Sequence, residues 1–170
     1  MISIPRLPWD EHFMLHAHLV ATRSTCNRGP ELLFDPGRHG VGAVIVSKKR
    51  IIAGGYNGSA PGAAHCDDIG HEMVEGHCVR TIHSEMNAIA QCAMDGVSPE
   101  TGVIYCTASP CYDCAKMLLR VGIQGVVFGQ AYDSRYGLSP TIKDMLDGHG
   151  VAVKQLVLEF REDGRIRRAV

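Results

Sequence analysis

Four residues of this chain carry the chemistry of a metal-assisted site at a spacing that suits it. His83 and Glu85 stand two apart in T-I-H-S-E-M-N-A-I-A (81–90), where an apolar helical pattern begins. Cys111 and Cys114 stand three apart in S-P-C-Y-D-C-A-K (109–116), where Pro110 opens another helix. In a first helical turn, residues i and i+3 share a side, so two thiolates can grip one ion. A helix N-terminus also lowers a thiol pKa toward the metal-binding thiolate. His83 can supply a third donor. Three N/S donors leave one position of tetrahedral Zn²⁺ open, which marks a catalytic rather than a structural site. Glu85 then stands beside the metal without being spent as a ligand, and can move protons to and from water. Alone, a C-x-x-C also serves as a redox pair or half of a structural site. Alone, an H-x-E at a helix start is ordinary capping and surface chemistry. The specificity lies in the joint pattern.

The elements that must position these residues follow from periodicity. Asp10 can cap a helix whose inner face is Phe13, Met14, Ala17, Val20 and Ala21, ending near Ser24. Residues 25–40, rich in Gly and Pro, read as a loop. V-G-A-V-I-V (41–46) and I-I-A-G-G-Y (51–56) read as strands, and the short S-K-K-R link makes them a hairpin. Residues 57–80 show no period. A loop of that length in a compact domain needs a function or a staple. A helix is predicted from Ile82 to about Met94, with Gly96 past its end. Then come a strand at 103–107, a helix from Pro110, a strand at 125–128, a helix at 139–146 and a strand at 151–158. The second cysteine-bearing helix shows Cys114, Met117, Leu118 and Val121 on its inner face. Strands separated by helices lie parallel through right-handed crossovers. The expected fold is α/β: a three-layer α/β/α sandwich around a mixed five-stranded sheet, in one domain over 1–170. Its last two strands are predicted parallel.

Bulk properties set limits. The chain has 170 residues, 45% of them hydrophobic and 21% charged, with a net charge of −1. That suits one domain with its own core and gives no general attraction to a polyanion. No apolar run has the length of a membrane span, and the N-terminus lacks the regions of a signal peptide, so a cytoplasmic protein is expected. The mildly basic segment 161–168 reads as a solvated terminus. Seven cysteines in such a chain suggest metal ligands or buried thiols rather than disulfides. Cys92 and Cys106 fall inside apolar patterns and are expected in the core. His39, His65 and His149 are expected in solvent.

H-x-E followed 28 residues after its histidine by P-C-x-x-C is the pattern of zinc nucleobase deaminases. The chain resembles the cytidine/deoxycytidylate deaminase superfamily, and within it the deoxycytidylate (dCMP) deaminases. The resemblance is carried by R-S-T-C (23–26), G-G-Y-N-G-S (54–59), H-C-V-R-T-I-H-S-E-M-N-A-I (77–89) and S-P-C-Y-D-C-A-K (109–116), and runs nearly the whole length. The usual form is H-A-E. Here Ser84 separates His83 from Glu85, and since it is also small, little effect is expected. A histidine rather than a cysteine at 83 resembles the deoxycytidylate, tRNA and DNA-editing branches more than the free-nucleoside enzymes.

The resemblance implies hydrolytic deamination of dCMP to dUMP and ammonia, supplying thymidylate synthesis, with a cytidine deaminase-like fold. His83, Cys111 and Cys114 would hold the catalytic zinc and Glu85 would carry protons. Thr107, Ser109 and the Cys111 backbone would line the base pocket. Asn57 and Asn87 match polar positions near the sugar. Arg23 is a candidate for the phosphate and Tyr132 for stacking on the base. Each also fits an ordinary turn, surface or packing role. Some family members carry a second, structural zinc in the long loop. By that resemblance Cys26, Cys66, His71 and His77 are its expected ligands, with Cys78 as the competitor for the fourth place. The family also includes homohexamers activated by dCTP with Mg²⁺ and inhibited by dTTP. G-Y-N-G-S is the part of this chain that resembles the regulatory region.

Two rivals remain open at this point. One is a deaminase of tRNA adenosine or single-stranded DNA, which the neutral charge balance disfavours because such enzymes track phosphates with a basic groove. The other is a non-enzymatic zinc module of a competence or DNA-uptake system. A purely structural site would have no use for Glu85.

Overall fold

The alternation along V-G-A-V-I-V sends successive side chains to opposite faces, and both faces are buried. In the computed structural model, which describes residues 6–131, 140–162 and 166–169, strand β1 (Gly42–Ser47) points Ala43 and Ile45 to one side. It points Val44 and Val46 to the other. Strand β2 (Arg50–Tyr56) returns antiparallel to β1. Strands β3 (Val103–Ala108), β4 (Gly125–Gln130) and β5 (Ala152–Gln155) complete a sheet of order β5-β4-β3-β1-β2. β3 runs antiparallel to β1, whereas β3, β4 and β5 are mutually parallel.

Helix α1 (Trp9–Ala21) covers one face, packing Phe13, Met14 and Ala17 on Val44, Val46, Tyr105 and Val127. The opposite face carries α2 (Ser84–Asp95), α3 (Tyr112–Arg120) and α4 (Pro140–Gly148). Ala88, Cys92, Ala115, Leu118, Ile142 and Leu146 join Ala43, Ile45, Ile104, Cys106 and Val126 in that core. The three-layer sandwich, the mixed five-stranded sheet and the parallel final pair are as the sequence predicts. Cys92 and Cys106 are buried as expected.

Several boundaries differ. Helix α1 begins at Trp9 behind Pro8, with no side-chain cap. Asp10 lies inside its first turn and accepts hydrogen bonds from the Tyr105 hydroxyl and Lys154, so tertiary partners take the carboxylate that the sequence assigned to capping. The 25–40 stretch contains an exposed antiparallel pair, Glu31–Leu32 with Asp35–His39. The predicted strand 151–158 breaks after Gln155, and Leu158–Phe160 pairs instead with Ile166–Arg168. The tail is therefore tied down, with Arg168 on Glu11 and Arg167 on Glu159.

Two glycines let helices approach the sheet closely. A Cβ on Gly42 would stand 2.3 Å from the Ala17 carbonyl oxygen of α1, and one on Gly55 would stand 2.3 Å from the Ser84 carbonyl oxygen of α2. The second contact fixes the start of α2, the helix that bears the candidate chemistry.

Candidate metal centres and their pocket

His83 is the N-cap of α2 and Cys111 the N-cap of α3, both in extended backbone. Each helix therefore starts two residues later than the pattern suggests, and both donors sit on the entering chain. Cys114 lies within the first turn of α3 and is buried. Nδ1 of His83 is 3.5 Å from Sγ of Cys111 and 3.5 Å from Sγ of Cys114. Tetrahedral zinc with Zn–S of about 2.3 Å and Zn–N of about 2.0 Å separates N from S by roughly 3.6 Å. Both separations from His83 thus match the donor spacing of a zinc tetrahedron. A hydrogen bond from Cys114, with a second from His83, pulls the Cys111 thiol down to about 4 against the opposing effect of burial. That favours the thiolate a metal requires.

Glu85 opens the helix beside this triad and is 4% exposed. Burial pushes its carboxyl above the usual carboxylate range, and the His83 charge pulls the other way. A buried carboxyl biased toward protonation is suited to receive and return a proton. The Ser84 hydroxyl donates to its Oε2 at 2.9 Å. Ser84 is therefore in contact with the candidate proton carrier.

A cavity opens over these groups. Its lining includes His83, Ser84, Glu85 and Cys111, together with Ser109, Asn57 and Arg28, and it also takes in Cys26, His77 and Cys78. Asn57 is buried and fully engaged. Its amide donates to the carbonyls of Cys26 and Arg28, and its Oδ1 accepts from the Val41 N–H and the Ser24 hydroxyl. Ser109 reaches the lining, and its N–H bonds the Gln130 carbonyl. Thr107 stands behind it on β3, its Oγ1 accepting from the Gly42 N–H. Asn87 is outside the lining and ties the start of α2 to the Tyr56 carbonyl at 2.7 Å. Arg23 is exposed and outside the lining, because the chain turns away after α1. Tyr132 lies outside the described residues. The cation that does line the cavity is Arg28, five residues further on, which the sequence reading did not single out. Its signal was present, as a basic residue two places after Cys26.

A second set of donors lies in the long loop. Cys26, Cys66, His71 and Cys78 bring four ligand atoms within 4.8 Å of one another. Sγ of Cys26 is 3.6 Å from Nδ1 of His71, and Sγ of Cys66 is 3.5 Å from Sγ of Cys78. Nε2 of His71 is 2.8 Å from Oδ1 of Asn27, a second partner that orients the ring. Three of the four expected ligands are here, but Cys78 rather than His77 is the fourth. The reason is strand alternation. In the two-residue pair Met73–Val74 with His77–Cys78, neighbouring side chains point oppositely. Sγ of Cys78 is turned to Cys66, while His77 and Cys78 both border the cavity.

The model of the cytidine and deoxycytidylate deaminase zinc-binding region matches residues 7–130. The chain belongs to the cytidine and deoxycytidylate deaminase family. ComE operon protein 2 of Bacillus subtilis (strain 168) is 43% identical over 154 residues, covering 91% of this chain and 74% of that protein. The deoxycytidylate deaminase of Saccharomyces cerevisiae is 30% identical over 174 residues, and this chain spans half of its length. Among solved structures, the dCMP deaminase of cyanophage S-TIM5 in complex with dCMP and dUMP matches with a TM-score of 0.71 and 27% identity. That match covers 90% of this chain and all of that one. By its family the chain is a hydrolytic deaminase, and the zinc-compatible triad and Glu85 are the candidate residues of its site.

Proposed function

We propose that this chain converts dCMP and water to dUMP and ammonia. The observation that carries the reading is the cavity itself. Its lining brings together His83 and Cys111 of the three-donor set, the spare buried Glu85 and an arginine, Arg28, whose guanidinium also donates to the Gly76 carbonyl. Arg28 is the one permanently charged cation among the described residues of its lining. A nucleoside monophosphate carries the matching pair of groups, an amidine and a dianion.

Zinc held by His83, Cys111 and Cys114 would supply Lewis acidity that lowers the pKa of water. Glu85 accepts the proton released as water adds to C4 of the cytosine ring, and delivers it to N3. It then takes the proton of the C4 hydroxyl and passes it to the departing amino group, which leaves as ammonia while C4 becomes a carbonyl. Burial of Glu85 keeps bulk water from competing for that proton. Ser109 and the carbonyl-bearing turn at 108–111 flank the base, and Asn57 shapes the far wall by holding Cys26 and Arg28 in place.

The loop cluster Cys26, Cys66, His71 and Cys78 is proposed as a structural zinc site. Its closed set of four donors and its near-tetrahedral S···S and S···N separations support this. Activation by dCTP with Mg²⁺, inhibition by dTTP and a homohexamer belong to the same proposal, on the strength of G-Y-N-G-S. The site's spare glutamate argues against the non-enzymatic module, and a single lining arginine argues against an extended nucleic-acid groove.

The test is ammonia release from dCMP, dCTP, CMP, deoxycytidine and adenosine in parallel, with and without dCTP and dTTP. Turnover of dCMP well above the others is expected, at two zinc ions per chain. Turnover of adenosine or of none would remove the proposal. A rate-versus-dCMP curve unaffected by dCTP and dTTP would remove its regulatory part.

A further inference from the structure

Ser84 stands where the family pattern usually has alanine, and its side chain is not idle. The residue is completely buried and lines the catalytic cavity. Its hydroxyl donates to Oε2 of Glu85 at 2.9 Å. We propose that Ser84 is a positioning residue for proton transfer, pinning Glu85 by one carboxylate oxygen so that the other carries the proton. This rests on the reading of Glu85 as the proton carrier.

The contact can act in that direction because Ser84 is the fixed partner. Its peptide is held from two sides. Gly55 of β2 lies so close that a Cβ there would meet the Ser84 carbonyl oxygen at 2.3 Å and the Ala88 nitrogen at 2.5 Å. On the other side, the pair Gly58–Ser59 with Thr81–Ile82 bonds the chain entering the helix. The Asn87 amide also donates to the Tyr56 carbonyl. A serine has one side-chain rotor, whereas glutamate has three. With the serine backbone clamped, the hydrogen bond orients the longer side chain.

The chemistry needs this orientation. A shuttle takes a proton at one point and releases it at another, so its free oxygen must keep reaching both. A carboxylate that turns about its terminal torsion loses that reach, and misplacement of a reacting group is costly in rate. With the proton on the free oxygen, Oε2 stays an acceptor, so the hydroxyl keeps donating to it whether the carboxyl is ionised or protonated. The tether therefore survives both halves of the cycle. An alanine at this position cannot supply it.

The experiment compares Ser84→Ala and Ser84→Thr with the wild type in steady-state deamination of dCMP, with zinc content and thermal unfolding measured on the same samples. One buried hydrogen bond to a charged group corresponds to roughly a tenfold effect. Ser84→Ala is expected to lower kcat by about tenfold with KM and zinc content unchanged. Ser84→Thr, which keeps a hydroxyl, is expected to restore most of the rate. Wild-type kcat in Ser84→Ala would overturn the proposal. So would a loss of kcat that tracks loss of zinc or of folded protein, or a zinc-replete, folded Ser84→Thr as slow as Ser84→Ala. A zinc-loaded wild type that deaminates no nucleotide would instead refute the function on which the proposal rests.

Discussion

Gly54 and Gly55 are neighbours on β2, yet alanine should behave oppositely at the two. Strand alternation turns Gly54 toward α1 and Gly55 toward α2. A Cβ on Gly54 would meet Val20 Cγ2 at 3.6 Å, an ordinary contact. A Cβ on Gly55 would meet the Ser84 carbonyl oxygen at 2.3 Å, the Ala88 nitrogen at 2.5 Å and Asn87 Cβ at 2.8 Å. The first two are backbone atoms, so no side-chain rotation relieves them. Helix α2 must retreat by about 1 Å to regain ordinary contact. Overpacking of this kind costs about 1–3 kcal/mol, which lowers the melting temperature by roughly 2–4 °C per kcal/mol in a chain of this size. The same retreat carries His83, Ser84 and Glu85 away from Cys111 and Cys114. A 1 Å misplacement of reacting groups costs about 100-fold in rate. Gly55→Ala should therefore lose about 100-fold in kcat per folded molecule, in addition to its stability loss. Gly54→Ala should match the wild type in both. Gly42→Ala gives a second control. Its Cβ would press on Ala17 and Ala21 of α1, on the face away from the donors. It should melt lower while losing less than about a tenth as much rate as Gly55→Ala. The assay is dCMP turnover normalised to folded, zinc-loaded protein. Wild-type kcat in Gly55→Ala at normal zinc content would refute the claim that this contact sets the position of the catalytic helix.

Four further outcomes are expected. Glu85→Ala should cut deamination by about 10²- to 10⁴-fold and leave zinc content and circular dichroism unchanged; an active variant would show that another group moves the proton. Cys78→Ser should lower zinc by one ion per chain, whereas His77→Ala should retain both, as read by elemental analysis of dialysed protein. Arg28→Ala should raise KM for dCMP by about 10- to 100-fold, as fits loss of a charge-assisted hydrogen bond. The same variant should leave deoxycytidine turnover unchanged, and equal losses on both substrates would sink the phosphate role. His18 is buried, and burial lowers its imidazole to about 4 from 6.5. The unfolded chain takes up that proton below pH 6.5 while the folded chain refuses it down to pH 4. Stability is thus fully present above pH 6.5 and falls by about 3 kcal/mol as pH drops toward 4. His18→Leu should flatten that part of the denaturant-unfolding profile, and a slope parallel to wild type would count against it.

The clustering of His83, Cys111 and Cys114 was legible because its information is local. H-S-E and P-C-Y-D-C each mark a helix N-terminus, and the helical period fixes which neighbours share a side. The sheet core was legible for the same reason, since V-G-A-V-I-V buries both faces and its alternation needs no partner to be read. The errors fall where a third element competes for a group. Asp10 has the side chain of an N-cap, but Tyr105 and Lys154 hold its carboxylate. The apolar run at 151–158 looks continuous, yet Leu156 still bonds the Phe128 carbonyl while Leu158–Phe160 leaves to pair with Ile166–Arg168.

By itself the sequence determined the layer order and pointed to the candidate donors and the spare glutamate, because each depends on spacing within one element or two. Only the tertiary structure grouped Cys78 rather than His77 with Cys26, Cys66 and His71, since a loop without a period brings its donors together only through the pairing it makes. Only tertiary structure put Arg28 in the cavity and Arg23 outside it, because the turn after α1 is anchored by Asn57 from 29 residues further along the chain. And only tertiary structure gave Ser84 a role. The close approach that Gly55 permits turns a small hydroxyl, from which the pattern alone predicts little effect, into a fixed donor on the candidate proton carrier.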